Sequence, residues 1–235
     1  MQAPRSPKAK PRRSPLTSSP ASSDPRSVEE ITDKRLLRGE RSRKLVLARA
    51  VDIASLENLE ALSFGRLATE TGMSKAGIQA LFETKQTLQK DTFAYALDMF
   101  RDFVVRPAEA KPQGVHRFRE LIDRWLQYAE RPLFAGGCFF AANLTQLDSH
   151  PGPLRDLVAD AQRAWVARLS TELKHAVKQG DIVNPDPELS AFQIEAVLRS
   201  ANTAMRLGEP AVTRKVWRIV DSFLTAGGNN RSRRR

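Results

Sequence analysis

The sequence predicts an all-α protein, on three observations. From Lys85 onward almost every segment repeats its apolar residues at helical spacing. No run alternates apolar and polar residues with the period of a strand. Pro and Gly fall where one helix must close and the next can open, as at Pro107, Pro132, Pro151-Gly152-Pro153, Gly180, Pro187 and Pro210. With 235 residues, 41% of them hydrophobic, the chain can bury a core as one generous domain or two small ones.

Residues 1–37 open with a stretch rich in Pro, Ser, Arg and Lys that has almost nothing to bury, and are expected to form a disordered basic tail. A basic amphipathic helix follows, with Arg41, Arg43, Lys44 and Arg49 interleaved with Leu45, Val46, Leu47, Ala50, Val51 and Ile53. The stretch Ser63–Lys85 then reads as two short helices hinged at Thr71-Gly72-Met73. Ser63 can cap the first, whose Phe64, Leu67 and Ala68 share a face. Gly72 suits the left-handed residue that ends it, and Met73 can fill the gap between the helices. Ser74 can cap the second helix, which would bury Ile78, Leu81 and Phe82. This is the layout of a helix-turn-helix, so residues 38–86 are expected to be a DNA-binding head. A plain helical hairpin has the same turn, but the basic helix before it favours DNA.

In such a motif the face left outside enters the major groove. The expected DNA contacts are Arg43, Ser63, Ser74, Lys75, Ala76, Gly77, Gln79, Ala80 and Lys85. A net charge of +11 and a pI near 10.3 agree with a polyanionic partner, although much of that charge lies in the tails. Residues 87–228 should form a helical body, followed by a second basic tail at 229–235. The last two helices carry more apolar surface than one core-facing stripe requires, through Phe192, Val197, Ala201, Met205, Val216, Trp217, Val220 and Phe223. These are the expected homodimer contacts, in a two-fold four-helix arrangement that would match a near-palindromic site.

One cysteine, Cys138, excludes an internal disulfide and leaves no zinc-ligand set. No secretory h-region or membrane-length apolar run occurs, so a cytoplasmic location without membrane contact is expected. Neither a Gly-rich phosphate loop nor a metal-ligand cluster is present, and no cofactor, metal or catalytic residue is assigned. Pairing Cys138 with His150 as nucleophile and base would be the only enzyme reading. A non-specific or architectural DNA binder using its basic tails is the principal alternative.

The chain resembles TetR-type transcriptional regulators. The likeness is strongest over Arg43 to Lys90, where VLARAVDIASLENLEALSFGRLATETGMSKAGIQALFETKQTLQ has the family's apolar first helix, Gly-Met-Ser-Lys turn and closing Phe-x-x-Lys. FAGGCFFAA, with Asp148 and Pro-Gly-Pro after it, is similar to one branch of that family. The resemblance covers about four-fifths of the chain. It implies a three-helix head, then a six-helix ligand-binding and dimerisation domain, and a ligand-responsive regulator, more often a repressor. Three positions depart from the family pattern: Gln79 replaces an aromatic, Ala80 a polar residue, and Asn58 a glycine. Glutamine can pair with adenine, and asparagine tolerates a left-handed backbone.

The resemblance also implies a small-molecule effector pocket among the middle helices. The aromatic, glycine-containing segment Phe134–Phe140 is the candidate wall, and the assigned lining is Trp125, Phe134, Cys138, Phe139, Asn143, Gln146 and Trp165. Aromatic residues at this spacing serve equally well as core. Cys138 begins a helix, a position that can lower a thiol pKa and make a redox sensor, whereas buried cysteines are ordinarily inert.

Overall fold

The computed structural model describes residues 25–149, 151–183 and 186–225, with side chains from residue 36. The two basic tails lie largely outside the described residues, as does His150. Among the described residues there are nine helices and no strand. Two compact units are distinguished, Met1–Gly39 and Glu40–Arg235. The first helix, α1 (Pro25–Glu57), begins inside the stretch expected to be disordered. Its start has a physical reason: Pro25 pre-sets the first helical φ, and no Gly or Pro follows until Gly39.

In the larger unit, α1 ends at Glu57 and the chain reverses through Asn58, at φ 89°. The Asn58 side chain accepts from the Glu60 N–H at 2.8 Å, capping a 3-10 turn over Leu59–Ala61. Helix α2 (Phe64–Thr71) is capped by Ser63, whose Oγ accepts from Arg66 N–H at 3.2 Å. Helix α3 (Lys75–Phe82) is capped in the same way by Ser74, from Gly77 N–H at 3.0 Å. Leu67, Ile78 and Phe82 are wholly buried against Val46, Ala50 and Leu59, with Phe64, Ala68, Met73 and Leu81 packed around them. The head is thus the three-helix unit its apolar spacing requires.

Between α2 and α3, Gly72 sits at φ 69°, ψ 10°, the left-handed conformation. No atom lies within 4 Å of where its Cβ would stand, so a side chain here meets backbone strain and not a clash. Gly72→Val should therefore lower stability by about 1–2 kcal/mol, the left-handed penalty of a residue with a Cβ. Thermal unfolding of the variant beside wild type checks this, and an unchanged midpoint would refute it.

Helix α4 starts at Lys85, capped by Thr84, and runs as Lys85–Phe100, a π-helical turn over Arg101–Val105, and Arg106–Glu109. The expected stop before Pro107 does not occur. Proline cannot donate to the helix ladder, and the widened turn, in which Arg106 N–H reaches back to the Arg101 carbonyl, carries the helix past it. The expected boundary at residues 86 and 87 falls in the first turn of α4. Helices α5 (Val115–Glu130), α6 (Phe139–Leu147), α7 (Pro153–Gln179), α8 (Pro187–Arg206) and α9 (Val212–Thr225) complete the body. Proline at the first helical position opens α7 and α8, and left-handed Gly180 closes α7. A single apolar core runs from Val46 in the head to Leu224 in α9. None of the described helices is long and apolar enough to cross a membrane.

Candidate nucleic-acid interface and effector cavity

On α3 the inward face is consumed by Ile78 and Phe82, which leaves Lys75, Ala76, Gln79 and Ala80 exposed and Gly77 half-buried. Ser63 and Ser74 are exposed at the two caps, with their hydroxyls accepting backbone N–H groups. The surface offered is therefore one cation, one amide and small side chains that let the helix approach a groove closely. The first of the two short helices, α2, is pinned to α1 by side-chain pairs whose role the sequence pattern does not reveal. Arg49 binds Glu70, and Arg66 binds Glu57 at 2.5 Å. The bond to Glu70 raises the Arg49 pKa further, and Arg66 holds the Glu57 carboxyl below its usual range. All four groups meet solvent, so these pairs set orientation more than stability.

Two expected DNA contacts are placed differently. The Arg43 guanidinium donates to the Leu81 carbonyl and to Asp91, and lies over the Phe82 ring at 4.5 Å. It ties α1 to α3 and α4 and belongs to the frame of the head. Lys85 Nζ donates to the Glu60 carbonyl at 2.8 Å and stands 3.5 Å from the Glu60 carboxylate, half-exposed. In the free chain its charge is already shared.

The body contains a partly open cavity of about 50 Å³ between α4, α5, α6, α7 and α8. Phe100, Trp125, Phe140 and Trp165 supply its aromatic walls, with Phe100 edge-on to Phe140 and to Trp165 at 5.5 Å. Cys138, Ala141 and Leu144 line it from the α6 side, and Glu195, Arg199 and Asn202 from α8. A cleft of about 410 Å³ adjoins it, sharing Cys138, Ala141, Leu144, Arg199 and Asn202. Of the seven residues assigned to a pocket from sequence, Trp125, Cys138 and Trp165 line this cavity. Phe134 and Phe139 do not, being buried in an aromatic cluster with Tyr128. Gln146 is exposed and faces a groove beside Lys85 and Pro151. The Cys138 thiol precedes α6, but burial pushes its pKa up, the opposite of an activated sensor.

Asn143 has another task. Its Nδ2 donates to the Ala54 carbonyl at 3.1 Å and the Phe139 carbonyl at 2.8 Å, while its Oδ1 accepts from Leu59 N–H at 2.8 Å. It is wholly buried and bolts α6 to the end of α1. Beside it, Gly136 N–H donates to Ser55 Oγ at 2.8 Å and Ala135 N–H to Asp52 Oδ1 at 3.0 Å. The glycines thought to admit a ligand instead admit protein: Gly136 lies against the α1 backbone and Gly137 against the Arg206 side chain. One segment, 135–144, thus lines the cavity on one side and grips the head on the other.

The expected dimer residues divide. Ala201 on α8 and Val216 and Val220 on α9 are buried within the chain, where the two helices pack on each other. Trp217 lies beneath Arg119 at 5.5 Å, part of the α5–α9 contact. Phe192 is 59% exposed, and Val197, Met205 and Phe223 are half-buried. Ile219, on the same apolar helix as Phe223, is exposed and lines a groove between α8 and α9.

An exposed α3 on a three-helix head, joined to an all-helical body with a cavity, gives the chain the architecture of helix-turn-helix regulators. Residues 114–220 match the family described as tetracyclin repressor-like, C-terminal domain. Over that stretch the chain is similar to the C-terminal domain of tetracyclin repressor-like proteins. No curated protein matches it by sequence. Solved structures share its fold. A TetR transcriptional regulator from Chloroflexus aurantiacus J-10-FL has a TM-score of 0.72 at 23% identity, covering 79% of this chain and 95% of that one. AibR, in complex with isovaleryl coenzyme A and operator DNA, has a TM-score of 0.63 at 18% identity, covering 77% and 97%. A transcriptional regulator from Saccharomonospora viridis, in complex with choline, has a TM-score of 0.63 at 17% identity, covering 78% and 95%.

Proposed function

We propose that this protein is a ligand-responsive repressor that binds a near-palindromic operator as a homodimer. The observation that carries the reading is the double role of segment 135–144, cavity wall and head clamp. The cavity is far smaller than the roughly 300–1,000 Å³ of an ordinary small-molecule site. An effector entering it must displace part of its walls, and where α6 yields, the Asn143 bonds to Ala54 and Leu59 at the end of α1 are disturbed. Such a ligand binds one head arrangement better than the other, which is the condition for it to act on DNA binding at all. The structural neighbours solved with isovaleryl coenzyme A and with choline support a small organic effector. Phe192, Val197, Met205, Ile219 and Phe223 offer the dimer surface, and two-fold pairing would set two α3 helices about one DNA turn apart.

Selection of bound sequences from a random DNA pool tests this reading. Recovery of a short inverted repeat supports it, whereas binding without any motif that simply fades with salt supports an architectural protein. In the recovered complex, Lys75→Ala should weaken binding to all sequences alike and reduce the salt slope by about 1. Gln79→Ala should instead relax preference at particular base pairs by about 1–3 kcal/mol, as loss of a base contact does. A uniform loss would assign Gln79 to a phosphate.

A further inference from the structure

Helix α8 carries Glu195, Arg199 and Asn202 at i, i+4 and i+7, so the three stand on one face. That face closes the aromatic cavity. Glu195 is only 3% exposed, an acidic side chain held against Phe and Trp rings. Its counter-ion is Arg199, with Nε 2.9 Å from the carboxylate, and Arg199 is half-exposed on the side of the open cleft. Asn202 is 8% exposed, and its Oδ1 is buried without a hydrogen-bond partner. Buried polar atoms are satisfied in all but a few cases, so this acceptor marks a place where a donor belongs.

We infer that the cavity takes a protonated amine on an apolar body, its N–H groups directed at Glu195 and Asn202 Oδ1 and its hydrocarbon among the aromatic rings. The charges are not symmetric, and the asymmetry selects the sign of the ligand. A cation can replace Arg199 at the Glu195 carboxylate, because Arg199 already reaches solvent and can swing out with its charge hydrated. An anion would have to draw Arg199 away, stranding a buried carboxylate beside a second negative charge, which is the costly way to break such a pair. Asn202 adds a direction, because its free acceptor rewards an N–H donor. The inference rests on this cavity being the effector site.

The test uses three ligands of one shape: benzylamine, protonated at pH 7, benzyl alcohol and benzoate, titrated into the full chain by calorimetry without DNA. Benzylamine should bind at least tenfold more tightly than benzyl alcohol, and benzoate weakest. Glu195→Gln should erase the preference for the amine while leaving the affinity for benzyl alcohol within about twofold. Should that variant fail to fold, Asn202→Leu should reduce amine affinity several-fold and that for the alcohol, whose single neutral O–H donor gains less from the acceptor, by a smaller factor. Benzoate binding best, amine and alcohol binding equally, or none of the three binding would each overturn the inference. DNA selection with unliganded protein, read separately, decides the repressor reading, so the two fail independently.

Discussion

Gly136→Val is expected to lower the thermal midpoint by roughly 2–12 °C, from about 1–3 kcal/mol of overpacking at 2–4 °C per kcal/mol for a chain of this size. Gly136 packs so closely on α1 that a Cβ would stand 2.0 Å from the Ser55 carbonyl oxygen and 2.5 Å from the Leu56 nitrogen. Those atoms are helix backbone and cannot rotate aside. The segment would have to lift, breaking the Gly136 N–H bond to Ser55 and the Ala135 N–H bond to Asp52 together. Gly65→Ala is the matching control: that glycine lies in α2 with nothing within 4 Å of its Cβ position, so alanine should be neutral or stabilising. Equal midpoints for Gly136→Val and wild type would mean that the segment is not held against α1.

Asn143→Leu, a substitution of similar volume, should cost about 1–3 kcal/mol, the penalty of leaving one buried donor without its acceptor. The loss falls on the Leu59 N–H, which Asn143 Oδ1 accepts. The Ala54 carbonyl keeps the Asn58 N–H at 3.0 Å. Chemical denaturation measures the cost. The more telling measurement is DNA affinity with and without effector. If α6 carries the signal, the variant should still bind DNA while effector and DNA binding become less dependent on each other. Undiminished linkage in a folded Asn143→Leu protein would route the signal elsewhere.

Where local chemistry decides, the sequence was readable. Ser63, Ser74 and Gly72 act at positions fixed by capping and by glycine's access to positive φ, and each depends on neighbours within three residues. Asn58 at positive φ was legible for the same reason. The apolar spacing of α5, with Phe118, Leu121, Ile122, Trp125 and Leu126 buried, needs only helical periodicity. The bonds of Arg43 within the head were not legible, because only the tertiary position of Leu81 and Asp91 reveals them. Asn143 was misread for a like reason: a polar residue in an apolar stretch signals a partner without naming it. The dimer face was overdrawn because apolar content cannot say whether α9 spends Val216 and Val220 on α8 or on a second copy.

The sequence by itself therefore determined the all-helical class and the caps and turn of the helix-turn-helix, governed by contacts within a turn or two of the chain. Tertiary structure alone decided which residues meet across it: the cavity assembled from five helices, the Glu195 and Asn202 that face its rings, and the grip of Gly136 and Asn143 on a helix some eighty residues away. Periodicity states which face of a helix is buried, but not what it is buried against.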